Sequence, residues 1–467
     1  MGKGGKLFLL ILLAAALAAG CSEGGIAIRR DTLDGHFHIL WDFATGLSPT
    51  DHAIRHLREA FPEASFDYRT LWRHMFPIDG EMLESRSGRE QLYPHVLAIL
   101  DDAPADLAVF EHTLAPDYFA SGYLEPLDDY LAADPSIRER LGDGLLERVR
   151  EQGGGSVYAV PFAKNVYVLY YNKDIFDRFQ LPYPTDGMTW DDVFALARRF
   201  GDVMPIGELT AVGLDDRSLS LIDISAFDMP DRHLAFGQMG GRFPDPETGP
   251  PDFRDPAWER YGAFLEELAS LRTAGRFHVY KTFAAGNLAM TAGRLHGSPH
   301  YSGAGDAATD LLMAPFAKWD MVSFPVFADA PDTGPPPAYY YIGIPKNSPR
   351  KRESFRLISH LLSDEVQLEN SKSGLASVRS EPVFREVFAE RTYKALGKNV
   401  EAFFYHPEEA DFGPHYDMYL QYHFYQHGTD YADPEMRERH FASLREDYAE
   451  LADYRRFWRE ITAFLRE

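Results

Sequence analysis

Three groupings of residues in this chain have types and spacings suited to chemistry. His52 and His56 stand four apart in a stretch that reads as a helix, and His36 and His38 stand two apart in one that reads as a strand. In each pair both imidazoles fall on one face, the arrangement that chelates a metal ion. Neither pair has a third ligand spaced nearby in sequence, so the expectation is solvated or hydrogen-bonded histidines, with no metal site and no cofactor. Acid pairs form the second grouping: Asp101-Asp102, Asp128-Asp129 and Glu408-Glu409. Two carboxylates flanking a sugar bond are what glycoside hydrolysis uses, but among 71 Asp plus Glu such pairs arise by chance. Asp42 with Glu111 is the sole pair that two strand ends would bring together. The third grouping sets aromatic rings beside polar groups near expected strand ends. Trp41 lies beside Asp42, Tyr167 beside Asn165 and Lys164, and Tyr339-Tyr340-Tyr341 form a run.

A sugar ring packs its C–H face on Trp or Tyr, while its hydroxyls need Asp, Glu, Asn, Arg or Lys. The third grouping supplies that mixture, although core packing accounts for each residue singly. Successive residues of a strand point to opposite faces, so Tyr340 cannot share a surface with both its neighbours. Other signatures are absent. There is no Gly-x-Ser-x-Gly elbow, no His-Glu-x-x-His, no phosphate-binding Gly-x-x-x-x-Gly-Lys-Ser/Thr and no Cys-x-x-Cys. Gly153-Gly154-Gly155 leads into a strand, not a helix N-terminus, and reads as a turn.

The elements that must position these residues alternate. Phe37–Trp41 reads as a strand, Ala53–Phe61 as a helix stopped by Pro62, Ser65–Arg69 as a second strand and Ala105–Phe110 as a third, with Glu111-His112-Thr113 at its carboxyl end. Such a rhythm argues a parallel sheet, whose ligand crevice lies beyond the carboxyl ends of its strands. Val157–Phe162 and Tyr167–Tyr171 are β-rich. Asn172 is an N-cap candidate for a helix to about Phe179, and Thr189-Trp190-Asp191-Asp192 has capping-box spacing before Val193–Phe200, with Trp190 assigned to packing. Residues 202–256, rich in Gly, Pro and Asp, resist assignment. Pro256–Arg272 and Arg352–Leu362 read as helices on either side of the Tyr339–Ile344 strand. The stretch from Asp433 to the C-terminus reads as an amphipathic helix.

With 467 residues the chain has room for two globular lobes. Its 47 Lys plus Arg against 71 Asp plus Glu give a net charge of −24, and no long basic run exists to collect phosphates, so nucleic acid is not an expected partner. The single cysteine excludes an internal disulfide. Lys3 and Lys6 precede the apolar run Leu7–Leu17, about half the roughly 20 residues that span a bilayer as a helix. The run fits a signal-peptide core. Leu17-Ala18-Ala19-Gly20-Cys21 resembles the lipobox of bacterial lipoproteins, which implies cleavage before Cys21 and lipidation of its sulfur. Two acyl chains there would hold the protein on a membrane, and Ser22–Gly25 reads as a short tether.

Five segments, in order, resemble the family 1 extracellular solute-binding proteins of ABC importers, the maltose/oligosaccharide type. They are ADLAVFEHTLAPDYFASGYLEPLDDY (105–130), VYAVPFAKNVYVLYYNKDIFD (157–177), Thr189–Asp192, FAAGNLAMTAG (283–293) and IGIPKNSPRKRESFRLISHLLSDEVQ (342–367). The resemblance implies an α/β, two-lobed periplasmic-binding-protein fold of type II, with hinge strands between the lobes and ligand in the cleft. On that pattern residues 1–20 are the signal peptide and 21–35 the tether. Residues 36–157 plus 328–372 form the first lobe, and 158–327 plus 373–467 the second. The implied function is capture of a carbohydrate and its delivery to a permease at the extracytoplasmic face of the cell membrane, by a monomer without catalysis. Trp41, Asp42, Glu111, Lys164, Asn165, Tyr167, Tyr301, Tyr339 and Tyr340 are the ligand-contact candidates. Where maltose-type members place a Trp after the Ala-Met pair, this chain has Gly293-Arg294-Leu295-His296, with Tyr301 as a replacement ring. A non-sugar solute is the alternative; an anionic uronate would call on Lys164 and Arg294. A surface-anchored glycoside-processing enzyme would call on Asp42 and Glu111.

Overall fold

The computed structural model describes residues 33–42, 48–70, 105–203, 209–213, 219–223, 225–229, 232–245, 248–271, 288–294, 318–411 and the positions 413, 439, 441, 442 and 445. The expected signal peptide, Cys21, Tyr301 and most of the expected C-terminal helix lie outside them. Among the described residues the strands are β1 (Gly35–Asp42), β2 (Ala64–Thr70), β3 (Leu107–Glu111), β4 (Ala159–Asn165), β5 (Tyr167–Asn172), β6 (Leu209–Gly213), β7 (Leu219–Asp223), β8 (Ser225–Asp228), β9 (Leu288–Arg294), β10 (Trp319–Ser323), β11 (Thr333–Gly334), β12 (Ala338–Gly343) and β13 (Glu408–Glu409). They make one five-stranded sheet, β2-β1-β3-β12-β4, one four-stranded sheet, β10-β5-β9-β8, and two small pairs, β6-β7 and β11-β13.

In the first sheet β1 runs parallel to β2 and β3, while β12 runs antiparallel to β3 and β4. Phe37, Ile39 and Trp41 alternate along β1 and are all buried. Phe37 stacks on Phe66 at 5.6 Å between centroids. The helix Ser48–Ala60 buries Ala53, Ile54 and Leu57, and its Arg58 Nη2 donates to the Phe66 carbonyl at 3.0 Å. The helix Lys351–Leu361 packs beside it, His360 meeting Phe61 edge-on. Phe110 stacks with Tyr341 at 5.8 Å and meets Phe119 of the helix Ala115–Ser121 edge-on. The Tyr341 hydroxyl donates to Gln152 Oε1 at 3.1 Å.

The second sheet buries Tyr167, Leu169 and Tyr171 against Phe176, Trp190 and Phe200. Both anticipated caps form. Asn172 Oδ1 accepts from Asp174 N at 3.0 Å and Ile175 N at 3.4 Å. Asp192 accepts from Thr189 N at 2.9 Å while Thr189 Oγ1 accepts from Asp192 N at 3.2 Å. That reciprocal box opens the helix Trp190–Val203. Trp190 is buried and meets Phe264 and Phe324 edge-on, a packing residue as expected.

A third cluster forms where Phe388, Tyr393, Val400 and Phe403 cover Val168, Tyr170, Trp319 and Met321 of the second sheet. Lys398 Nζ sits 4.2 Å from the Trp319 ring centre. Phe441 stacks on Phe253 at 4.5 Å, with Trp258 edge-on to both. Residues 202–256, opaque in the sequence, contain β6, β7, β8 and the helix His233–Gln238. The expected lobe boundary at 157/158 does not coincide with the sheets. β4 lies beyond it and pairs with β12 at the edge of the first sheet. Among the described residues no helix is long and apolar enough to cross a membrane.

Candidate ligand-binding site

The chain passes from one sheet to the other in a single residue. β4 ends at Asn165, Val166 follows, and β5 begins at Tyr167. It returns from β10 to β12 through residues 324–337. Trp41, Glu111, Asn165, Tyr339 and Tyr340 therefore gather at one end of the first sheet, where β1, β3 and β4 finish and β12 begins. This is the carboxyl end of the parallel strands, where open α/β sheets bind ligands.

Register sorts these residues by face. Trp41 stands opposite Val109, Glu111 opposite Tyr340, and Tyr340 opposite Ala163, with Asn165 two residues further along. With a side-chain period of two, Trp41, Glu111, Tyr340 and Asn165 share one face. All four are buried. Asn165 Nδ2 donates to the Tyr340 hydroxyl at 2.5 Å, and Asn165 Oδ1 has no hydrogen-bond partner among the described residues. Trp41 meets Tyr68 edge-on at 5.4 Å.

Lys164 and Tyr339 stand opposite each other on the other face. Both turn to Glu409, which β13 delivers by pairing with β11. Lys164 Nζ lies 2.8 Å from Glu409 Oε1, and the Tyr339 hydroxyl donates to Oε2 at 3.5 Å. Burial, reinforced by the Glu409 charge, raises the Tyr339 phenol above its ordinary range and keeps it a donor. Tyr339 and Tyr341 sit 6.3 Å apart between ring centres, on the same side, as alternation requires. Tyr167 is buried, its ring edge-on to Phe324 of the second core.

Several expectations change. Asp42 pairs with Phe110, not Glu111, so the two backbone positions are one residue out of register. The Arg294 and Asp42 side chains lie outside the described residues. Two groups went unnoticed in the sequence. Tyr118 stacks flat on Phe110, 4.2 Å between centroids with planes 9° apart; the sequence cue is an aromatic residue soon after the end of β3. Glu409 appears there only as half of an acid pair, 245 residues from its Lys164 partner. The histidines change as well. His52 lies outside the described side chains, and His56 is buried, which lowers its pKa despite a hydrogen bond with Asn370. His36 and His38 are hydrogen-bonded as expected, to Ser65 and Asp67, and Asp67, about thirty residues away in sequence, adds a third group able to ligate.

Comparison with known proteins gives the same architecture. The structure resembles an ABC substrate-binding protein from Listeria monocytogenes in complex with cycloalternan, with TM-score 0.62 and 16% identity over 90% of this chain and 99% of that one. It also resembles a cyclic alpha-maltosyl-1,6-maltose binding protein from Arthrobacter globiformis, with TM-score 0.60 and 13% identity over 90% and 99%. A third likeness is to UgpB from Mycobacterium tuberculosis in complex with glycerophosphocholine, with TM-score 0.60 and 15% identity over 91% and 100%. These show a shared mixed α/β, two-lobed fold. In sequence, the profile described as bacterial extracellular solute-binding protein matches residues 96–399, well over half of the chain. The chain belongs to the bacterial extracellular solute-binding protein family.

Proposed function

We propose that this solute-binding protein captures a carbohydrate, an oligosaccharide in preference to a single sugar, at the crossover between its two sheets, and hands it intact to an ABC permease. The observation that carries the reading is the buried set Trp41, Glu111, Asn165 and Tyr340, a ring-and-polar mixture placed where the chain crosses between sheets. Rings offer an apolar face to sugar C–H groups, and amide and carboxylate oxygens match its hydroxyls. Lys164, Tyr339 and Tyr167 flank the same crossover from the other side. Structurally similar proteins that bind cycloalternan and cyclic alpha-maltosyl-1,6-maltose support the class. The glycerophosphocholine complex supports a second reading, a phosphodiester solute, for which Lys164 would have to exchange Glu409 for the ligand. Lobe closure follows population shift: ligand that touches both lobes selects the closed form. The N-terminal sequence supports an extracytoplasmic protein anchored through lipid on Cys21, and a monomer is what the family resemblance implies.

The test is a thermal-unfolding screen against mono- and oligosaccharides, with uronates, glycerophosphodiesters, polyols and short peptides alongside. Ligand that binds only the folded protein adds about 2.7 kcal/mol at a hundredfold excess over Kd. A rise in midpoint with an oligosaccharide that is recovered uncleaved is the expected result. A rise only with phosphodiesters, or cleavage of the sugar, overturns the carbohydrate-capture reading.

A further inference from the structure

The parallel pairing of β1 with β2 places His36 opposite Ser65 and His38 opposite Asp67. His36 Nε2 lies 3.1 Å from Asp67 Oδ2, and His38 Nδ1 lies 2.6 Å from Asp67 Oδ1. The two imidazoles meet edge-on with centroids 4.6 Å apart. One ligand atom from each of the three residues lies within 4.8 Å of the others. We propose that His36, His38 and Asp67 form a surface site for a divalent transition ion of the zinc class, separate from the solute-binding end of the sheet and independent of what solute is bound there.

The donor set is two imidazole nitrogens and one carboxylate oxygen, the borderline ligands that zinc takes and that hard ions such as magnesium do not favour. Without an ion, the converging atoms must share protons between imidazole and carboxylate. A divalent cation replaces those shared protons, drawing each ligand to about 2.0–2.2 Å from itself. Three protein ligands leave a fourth position to water, and the half-exposed side chains give an ion a way in. The site has an orienting contact already built. Ser65 Oγ lies 2.6 Å from His36 Nδ1. When that nitrogen donates its proton to Ser65, the Nε2 lone pair faces Asp67, which is how an outer hydrogen bond fixes a ligating histidine.

The surroundings also fix the backbone. The Arg350 guanidinium donates to the His36 carbonyl at 2.5 Å and covers Phe37, so its charge is spent on backbone and ring, not on Asp67. Gly35, at φ +101°, makes room for it: a Cβ there would lie 2.7 Å from Arg350 Nη1. His36 and Trp41 are five residues apart on one strand, about 17 Å at ~3.3 Å per residue, so the ion and the solute would not touch.

The test is calorimetric titration of Zn²⁺ into the full-length protein in detergent, purified without a histidine tag and stripped with chelator, alongside His36→Ala/His38→Ala, Asp67→Asn and Ser65→Ala variants. The wild-type protein is expected to take up one equivalent at a site that the double variant loses. Asp67→Asn and Ser65→Ala are each expected to bind at least about tenfold more weakly. Where the double variant folds poorly, His38→Gln, which keeps a side-chain hydrogen bond to Asp67, reads the same loss. Cobalt substituted for zinc should show visible bands in wild type and not in the double variant. No stoichiometric uptake, or uptake unchanged in the His36→Ala/His38→Ala and Asp67→Asn proteins, would leave the three residues as a hydrogen-bonded cluster and overturn the site.

Discussion

Two buried side-chain amides, Gln238 and Asn165, show how differently the two halves of this molecule treat polar groups. Gln238 lies in the core built on the second sheet, where its Oε1 accepts from Trp190 Nε1 at 3.1 Å and its Nε2 donates to the Pro325 and Thr333 carbonyls, each at 3.0 Å. One amide thus ties a ring N–H to two backbone carbonyls from separate segments, so it is structural. Asn165 stands at the crossover, donates only to Tyr340, and leaves Oδ1 unpartnered among the described residues. Native interiors seldom leave such an atom unmet. A satisfied amide organises a core, and the unsatisfied one at the sheet crossover supports the proposed contact with a solute.

Truncation separates the two roles. Gln238→Ala removes three hydrogen bonds at about 1–1.5 kcal/mol each, only partly relieved by relaxation. The expected loss of stability in urea is therefore ~3 kcal/mol, with the affinity of the remaining folded protein for its solute little changed. Asn165→Ala loses one neutral hydrogen bond, about 1 kcal/mol of stability. Its larger expected effect is on binding, about tenfold or more, equivalent to ~1.4 kcal/mol. A large stability loss without an affinity loss in Asn165→Ala would erase the distinction.

The smallest expected effect comes from a surface contact that belongs to neither group. Glu369 accepts from Arg391 at 2.6 Å and from Lys372 at 3.0 Å, and these hydrogen bonds hold its carboxyl at about 2. A depressed carboxylate contributes stability above its unfolded value, roughly 4.3, and loses it as pH falls toward the folded one. Solvent screening leaves about a third of the nominal energy, ~1 kcal/mol or less. Unfolding midpoints of wild type and Glu369→Gln should differ by that amount at pH 6 and converge by pH 2. A constant difference would assign the effect to packing instead of charge.

How much of this was readable from the residues depends on range. The Asn172 cap and the Thr189–Asp192 box involve neighbours two or three apart, and both formed as their spacing predicts. The strands around Trp41, Glu111 and Tyr340 were placed to within a few residues by local hydrophobic pattern. Alternation alone predicted that Tyr340 would part from Tyr339 and Tyr341, and their register agrees. Pairing between distant strands was not readable. Nothing local says that β4 closes the first sheet instead of opening the second lobe, or that Glu409 answers Lys164. The same limit hid Asp67 from His36 and His38. The separation is about thirty residues in sequence, yet parallel pairing makes Asp67 the direct neighbour of His38.

The most direct measurement is a calorimetric titration of the oligosaccharide that most raises the unfolding midpoint, performed on wild type and on Asn165→Ala side by side. The account predicts one site per chain in the wild-type protein and an affinity at least about tenfold lower in the variant, with both proteins folded at the start. Equal affinities would contradict it, placing the solute away from the crossover and returning Asn165 to the same structural class as Gln238.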